Sequence, residues 1–72
     1  FADSVLSVEF AGNMVALKCM TGMAQAVCAA MDSMQWDGVV ATLAGDDTIF
    51  ILVRNEAAAI NLVTELKKIM KS

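Results

Sequence analysis

The sequence contains no histidine, only two cysteines and little charge, and each of these shortages argues against a class of function. Without histidine the chain lacks the usual general base of enzymes, and two thiols alone rarely complete a tetrahedral zinc site. Only 18% of the residues are charged, against about 25% in a typical soluble domain. The formal net charge of −3 argues against direct nucleic-acid binding, which needs clustered lysine and arginine.

Long apolar runs are also missing. No run approaches the roughly 20 residues that a membrane-spanning helix needs, and the first residues lack the basic segment and apolar core of a signal peptide.

We interpret Cys19 and Cys28 as reduced, buried thiols of a cytoplasmic protein, with a disulfide between them as the less favoured alternative. The chain has no initial methionine, so we expect a fragment of a longer protein or a processed product.

Apolar side chains, in contrast, are abundant. They make up 58% of a chain of 72 residues, which is one domain by length. A domain of this size buries only about 60% of its unfolded surface. We therefore predict an oligomer in which part of the apolar surface is buried between subunits.

The only cluster of basic residues consists of Lys67, Lys68 and Lys71. We interpret it as the last turn of a helix, where cations complement the helix dipole.

The first 20 residues predict a β-hairpin. Ser4 to Phe10 alternates between apolar and polar residues, which places Leu6, Val8 and Phe10 on one face of a half-buried strand. A Gly-Asn pair, which is common in hairpin turns, then leads to a returning strand over Met14 to Met20.

A second hairpin is predicted from residue 39 to residue 53. Val39 to Ala44 is apolar and β-branched enough for a strand, and the Gly-Asp-Asp sequence at 45–47 provides turn residues. Thr48 to Val53 is a nearly continuous apolar run, typical of a strand buried on both faces. With one helix after each hairpin, the order β-β-α-β-β-α predicts an α+β fold: a four-stranded antiparallel sheet with two helices on one face.

Each predicted helix has a candidate N-cap and an apolar stripe at helical spacing. The first follows Thr21, and its stripe consists of Ala24, Val27, Cys28, Met31 and Met34. The second follows Asn55, and its stripe consists of Ala59, Leu62, Val63, Leu66 and Met70. The second helix also has a hydrated face, formed by Asn61, Glu65, Lys68 and Lys71.

The first helix differs from the second because its remaining side is small and nearly uncharged. Beside the apolar stripe lie Met23, Ala26, Ala29, Ala30 and Ser33. Small residues allow another backbone to approach closely, and a two-layer domain of this size rarely covers a helix on every side. We predict a subunit interface on this surface.

Four polar residues are candidates for a binding site. Gln25 and Asp32 are seven positions apart and share one helix face at the edge of the apolar stripe. Asp46 and Asp47 are adjacent and repel each other by roughly 1 kcal/mol at about 4 Å in water. They suit a hydrated turn, a hard cation, acid–base chemistry, or a guanidinium held in bidentate fashion. A site that also contains Gln25, Asp32 and Thr42 could hold an amino-acid head group. The residues alone leave these alternatives open.

The motifs Gly22-x-Ala24-Gln25, Asp32-Ser33 and Thr42-x-Ala44-Gly45-Asp46-Asp47-Thr48-Ile49 resemble the C-terminal domain of the bacterial arginine repressor. The resemblance covers essentially the whole chain. It implies that residues 1–72 form an arginine-binding and oligomerisation domain. The DNA-binding winged-helix domain of that family has no counterpart here, so operator DNA would be bound through a part of the protein outside this chain.

The resemblance also implies an assembly and a ligand. Members of the family form trimers, and two trimers stack into a hexamer with L-arginine as co-repressor at the trimer–trimer interface. The guanidinium would be bound by Asp46 and Asp47. The amino-acid end would contact Gln25 and Asp32, and the pocket would be lined by Thr42 and Ala44. No other cofactor, no metal and no membrane partner is implied.

This sequence departs from the family pattern at one position. Thr21-Gly22 stands where relatives commonly have Pro-Gly, so the loop before the first helix is less rigid and the effect on ligand affinity is open. The alternative function is a constitutive oligomerisation module without an arginine response. We expect no enzymatic activity, because the usual catalytic base is missing.

Overall fold

The computed structural model describes residues 2–34 and 36–70, which form one antiparallel sheet with two helices on one of its faces. In chain order the elements are a 3-10 turn (Ala2–Ser4), β1 (Val5–Ala11), β2 (Met14–Cys19), α1 (Ala24–Asp32), β3 (Val39–Ala44), β4 (Thr48–Val53) and α2 (Glu56–Met70). The strands lie side by side in the order β1-β2-β4-β3, so the two hairpins pair through β2 and β4. The predicted α+β fold and element order are confirmed.

The core lies between the sheet and the two helices. The central strands contribute alternate residues, as the period of two in a strand requires: Val15, Leu17, Cys19, Ile49, Ile51 and Val53. The helices contribute Ala24, Val27, Cys28, Met31, Ala59, Leu62, Val63 and Leu66. All of these belong to one contiguous cluster, in which each large apolar side chain contributes about 1.5–3 kcal/mol through burial.

The first strand has the predicted inward face only after a bulge near its beginning. The pairing of β1 with β2 shifts between Val5 and Ser7, as in a β-bulge, so Val5 and Val8 are both buried. Leu6 is 64% exposed and Phe10, near the end of the edge strand, is 39% exposed. The prediction is therefore wrong for Leu6, because the extra residue in the bulge reverses the face before it, whereas Val8 and Phe10 both pair with buried residues of β2 and lie on the predicted face.

The prediction that the fourth strand is buried on both faces is also wrong for a single chain. Phe50 and Leu52 are 51% and 36% exposed, because both helices pack on the opposite side of the sheet. Cross-strand pairs place Ala16 and Leu43 beside Phe50, and Met14 beside Leu52. We call these five side chains the open face of the sheet.

α1 begins later than predicted and does not use Thr21 as its N-cap. The N-cap position is Met23, whose side chain makes no capping hydrogen bond. The predicted buried stripe is confirmed up to Met31, but Met34 lies beyond the helix end at Asp32 and is 43% exposed. The N–H of Ala24, the first residue of the helix, is instead bound by another part of the chain, as described below.

α2 agrees with its prediction in detail. The Asn55 side chain accepts a hydrogen bond from Ala58 N at 2.8 Å, which confirms the N-cap. The predicted stripe is buried through Leu66, and Met70 is partly buried against the core. Lys71 lies outside the described residues. Among the residues described, neither helix is long and apolar enough to cross a membrane.

Candidate functional site

α1 lies along the edge strand β3, and three polar contacts join them. Gln25 Nε2 donates to the Ala44 carbonyl at 3.3 Å. About one turn further along the helix, Cys28 Sγ donates to Thr42 Oγ1 at 3.4 Å, and Thr42 Oγ1 in turn donates to Asp32 Oδ1 at 3.1 Å. The helix residues are three and four positions apart and the strand residues two apart, so each set shares one face.

The turn between β3 and β4 is fixed to the start of α1 by its backbone. Gly45 N donates to the Thr48 carbonyl at 2.8 Å, which closes the turn. The Asp46 carbonyl accepts hydrogen bonds from Gly22 N at 3.1 Å and from Ala24 N at 3.4 Å. These contacts replace the missing side-chain cap of α1, so the beginning of the helix and the position of the turn depend on each other.

The two adjacent aspartates of this turn have different surroundings. The Asp47 carboxylate accepts a hydrogen bond from Thr48 Oγ1 at 3.0 Å and lies 3.7 Å from Lys18 Nζ. Both members of the ion pair are about half exposed, so the pair contributes only about 0–1 kcal/mol. The Asp46 carboxylate is exposed, and within residues 2–34 and 36–70 it has neither a hydrogen bond nor an ion pair.

Two free thiols lie beneath the site. Cys19 is 2% exposed, and its N–H donates to the Asp47 carbonyl at 2.7 Å; Cys28 is 9% exposed. Burial raises the pKa of the Cys19 thiol, and the nearby Asp47 carboxylate and Cys28 raise it further. The thiol form of Cys19 is therefore favoured over the reactive thiolate.

The residues predicted for the ligand site lie on three adjoining segments. Gln25, Ala44 and Asp46 are together where α1 begins and β3 ends. Asp32 and Thr42 are joined farther along the same helix–strand edge. Asp47 is the exception, because its carboxylate approaches Lys18, which lies on the side of β2 away from the core.

Sequence reasoning missed two residues of this region. Cys28 was assigned only to the apolar stripe, although its spacing of three from Gln25 and four from Asp32 places it on the same helix face. Lys18 lies on the outer face of β2, and no local pattern indicates that it meets Asp47, which is distant in sequence.

The arrangement is suited to a cation with several N–H donors. Carboxylates are acceptors only, and a forked guanidinium matches them in bidentate fashion. An open depression of about 300 Å³ adjoins the turn and is lined by Leu43, Ala44, Gly45, Thr48 and Phe50. Among the described residues, no group of three or more histidine, cysteine, aspartate or glutamate side chains is placed to hold a metal ion.

Comparisons with known proteins show the family to which the chain is similar. The family profile "Arginine repressor, C-terminal domain" matches residues 1–68. The arginine repressor of Thermoanaerobacter sp. (strain X514) is 46% identical over 70 residues, which cover 97% of this chain and 47% of that protein. The arginine repressor of Alkaliphilus oremlandii is 45% identical over 71 residues, which cover 99% of this chain and 48% of that protein.

The arginine repressor of Clostridium acetobutylicum is 47% identical over 70 residues, which cover 97% of this chain and 47% of that protein. The chain thus spans about half the length of the curated relatives that it matches. Because the family profile and these relatives match nearly all of it, the chain belongs to the family of arginine repressor C-terminal domains.

Proposed function

We propose that this chain is the ligand-sensing and oligomerisation domain of a transcriptional regulator of arginine metabolism. L-arginine acts as co-repressor: it binds between two trimers and stabilises the hexamer that lets the whole protein bind operator DNA. The observation that carries the proposal is the turn at residues 45–47. Its backbone is fixed to α1 and β2, while the Asp46 carboxylate remains exposed and unpaired among the described residues.

The guanidinium group of arginine is the part of the ligand that this turn suits best. It is planar, permanently charged and able to donate two parallel hydrogen bonds to a carboxylate. Asp46 offers such a carboxylate without losing an existing contact among the described residues. Asp47 offers a second one, because its exposed ion pair with Lys18 is weak enough to be replaced.

The amino-acid end of the ligand would lie along the edge between α1 and β3. Gln25 uses its N–H group for the Ala44 carbonyl, so its side-chain oxygen is left to accept a hydrogen bond from the ligand. The exposed Asp32 carboxylate accepts from Thr42 through one oxygen and can receive the α-ammonium group through the other. Main-chain groups of Thr42 and Ala44 would line the same space.

Assembly is supported by the apolar surface that the single chain leaves uncovered. The open face of the sheet contains Leu43 and Phe50 at 73% and 51% exposure, next to Met14 and Leu52. Contiguous apolar surface of this kind on a soluble domain marks an interaction site. The outer side of α1, where Ala26 and Ala29 are exposed, remains the predicted second contact.

The alternative is a constitutive oligomerisation module that does not respond to arginine. The same open face favours this alternative, because its apolar side chains can associate without any ligand. The two functions differ in the role of the turn. If the domain is a sensor, Asp46 and Asp47 oppose the stacking of trimers without arginine and support the stacking when arginine is bound. A constitutive module shows no such dependence on arginine.

Sedimentation velocity at low micromolar protein concentration separates the two functions. We expect L-arginine to shift the chain from trimer to hexamer, and we expect citrulline, whose side chain is neutral, to have no effect. A hexamer that is unchanged by arginine in sedimentation and that binds no arginine in calorimetry would establish the constitutive module. A monomer under every condition would contradict both functions.

Asp46→Asn tests the carboxylate itself. The substitution keeps the shape of the side chain but removes the charge, so we expect arginine affinity to fall by about ten- to a hundredfold in titration calorimetry. Asp37→Asn is the matched control, since Asp37 is also exposed but precedes β3 at its opposite end. Equal affinities in the two variants would show that Asp46 does not bind the ligand.

A further inference from the structure

We infer that Cys28 is a positioning residue for the arginine site, and that it favours ligands with an α-ammonium group by fixing the orientation of Asp32. The inference rests on the proposed function and extends it to a side chain that does not touch the ligand. It comes from the relay that runs from the core through Cys28 and Thr42 to the exposed Asp32.

The direction of this relay follows from the number of protons that it contains. A threonine hydroxyl has one proton to donate and two lone pairs to accept. Cys28 Sγ donates to Thr42 Oγ1 and thereby occupies an acceptor position of the hydroxyl. The hydroxyl proton is then available for Asp32 Oδ1, which as a carboxylate oxygen can only accept.

Burial keeps the beginning of the relay in place. Cys28 is 9% exposed and belongs to the core cluster between α1 and the sheet, so its side chain is held by packing on the side away from the site. Asp32 at the other end is exposed and lies in the last turn of α1. A buried group thus orients an exposed one through Thr42, whose position is set by the strand.

The oriented carboxylate determines which ligands are preferred. Thr42 occupies Oδ1 of Asp32 and leaves Oδ2 as the acceptor for a positively charged donor. In the proposed complex that donor is the α-ammonium group, because the guanidinium group is bound at the turn. Loss of the Cys28 donor frees the Thr42 hydroxyl to rotate, and the Asp32 carboxylate then rotates with it.

Titration calorimetry on the 72-residue chain with two ligands tests this role. One ligand is L-arginine, and the other is δ-guanidinovalerate, which keeps the guanidinium and carboxylate groups but lacks the α-ammonium group. We expect Cys28→Ala to weaken arginine binding about two- to fivefold and to leave δ-guanidinovalerate binding unchanged. Cys28→Ser, which restores a donor at the same position, should recover most of the arginine affinity.

A double-mutant cycle with Thr42→Val shows whether Cys28 acts through the hydroxyl. We expect Cys28→Ala to have no further effect on arginine affinity once Thr42→Val has removed the relay. Cys19→Ala is the matched control, since it truncates the other buried cysteine without removing the donor to Thr42. Thermal unfolding of each variant confirms that the affinities are compared between folded proteins.

The failure of this inference is distinct from failure of the proposed function. If the native chain binds arginine and Cys28→Ala binds it equally well, the role of Cys28 is wrong and the proposed function stands. Equal weakening of both ligands by Cys28→Ala would also overturn the inference, because it would indicate a general loss of structure. A native chain that binds neither ligand would overturn the proposed function and the inference together.

Discussion

At the scale of single residues, the turn between β3 and β4 shows how two identical side chains acquire different properties. Asp47 has a hydroxyl donor and a lysine partner, whereas Asp46 has neither among the described residues. The charge of Asp47 is therefore partly compensated in the free chain. A cation that reaches the turn gains most from Asp46, and this is why the two aspartates should differ in mutagenesis.

The buried thiol of Cys19 makes stability depend on pH in the alkaline range. Its pKa is raised in the folded chain, so above the unfolded value of about 8.5 the unfolded chain releases a proton that the folded chain keeps. The free energy of unfolding should therefore fall as pH rises from about 8.5 towards the raised pKa. Below about 8.5 both states are protonated and this contribution is constant.

Urea titrations at several pH values check this prediction with Cys19→Ala as the reference. The variant has no thiol at this position, so we expect its stability to fall less steeply with pH than that of the native chain. Both chains share the other titrating groups, so the difference between their slopes reports the contribution of Cys19 to the free energy of unfolding. Identical slopes would show that Cys19 ionises equally in the folded and unfolded chains.

At the scale of elements, the two helices are defined by different kinds of information. α2 has its own N-cap, an acidic residue in its first turn and lysines in its last turn. α1 has no side-chain cap, and its first N–H group, that of Ala24, binds the Asp46 carbonyl from a turn more than 20 residues away. Local sequence therefore specifies α2, whereas α1 needs the assembled sheet.

Asn55→Ala tests the cap of α2. The substitution removes the acceptor for Ala58 N, and we expect it to lower the free energy of unfolding by about 1 kcal/mol in urea titrations at fixed protein concentration. Asn61→Ala is the matched control, because Asn61 is an exposed asparagine within the same helix, where alanine is the better helix former. An equal loss in both variants would contradict the capping role.

At the scale of the whole molecule, the distribution of apolar surface favours association. Both helices cover the same face of the sheet, and the other face remains open with large apolar side chains. The high apolar content of the sequence is thus divided between an internal core and an external surface. We expect the open face to be buried by other copies of the chain in the proposed trimers and hexamer.

Phe50→Lys tests this surface by placing a charge at the centre of the open face. Phe50 is 51% exposed, so the chain should still fold, but desolvation of the lysine opposes burial of the face. We expect sedimentation velocity to show monomers with native circular dichroism. Ile60→Lys, at a site 47% exposed on α2, is the control and should leave assembly intact. If Ile60→Lys gave monomers and Phe50→Lys left assembly intact, the subunit contact would lie on the helical side.

Much of the fold could be predicted because it follows from local patterns. The bounds of β3 and β4 were predicted without error, since β-branched apolar runs are separated there by a Gly-Asp-Asp turn. The stripe of α2 and its cap were also predicted correctly. At the site, the spacing of Gln25 and Asp32 indicated one shared helix face, and the structure places both along β3.

Three features could not be predicted because they depend on contacts with other segments of the chain. Alternation places Leu6 inside because it cannot reveal a bulge, which depends on pairing with β2. The local sequence favours Thr21 as the cap because nothing nearby shows that the Asp46 carbonyl reaches the start of α1. The helical spacing indicates only a core position for Cys28, because its acceptor, Thr42, lies on another element.

The sequence by itself determined the element order and most of the apolar stripes, since these depend on local periodicity. The residues proposed for the candidate site follow from motifs that resemble a known family. The tertiary structure decided which aspartate is already paired, how α1 begins and which face of the sheet remains uncovered. These properties depend on contacts between segments far apart in sequence. Such contacts form only when the sheet brings together the ends of β2, β3 and α1.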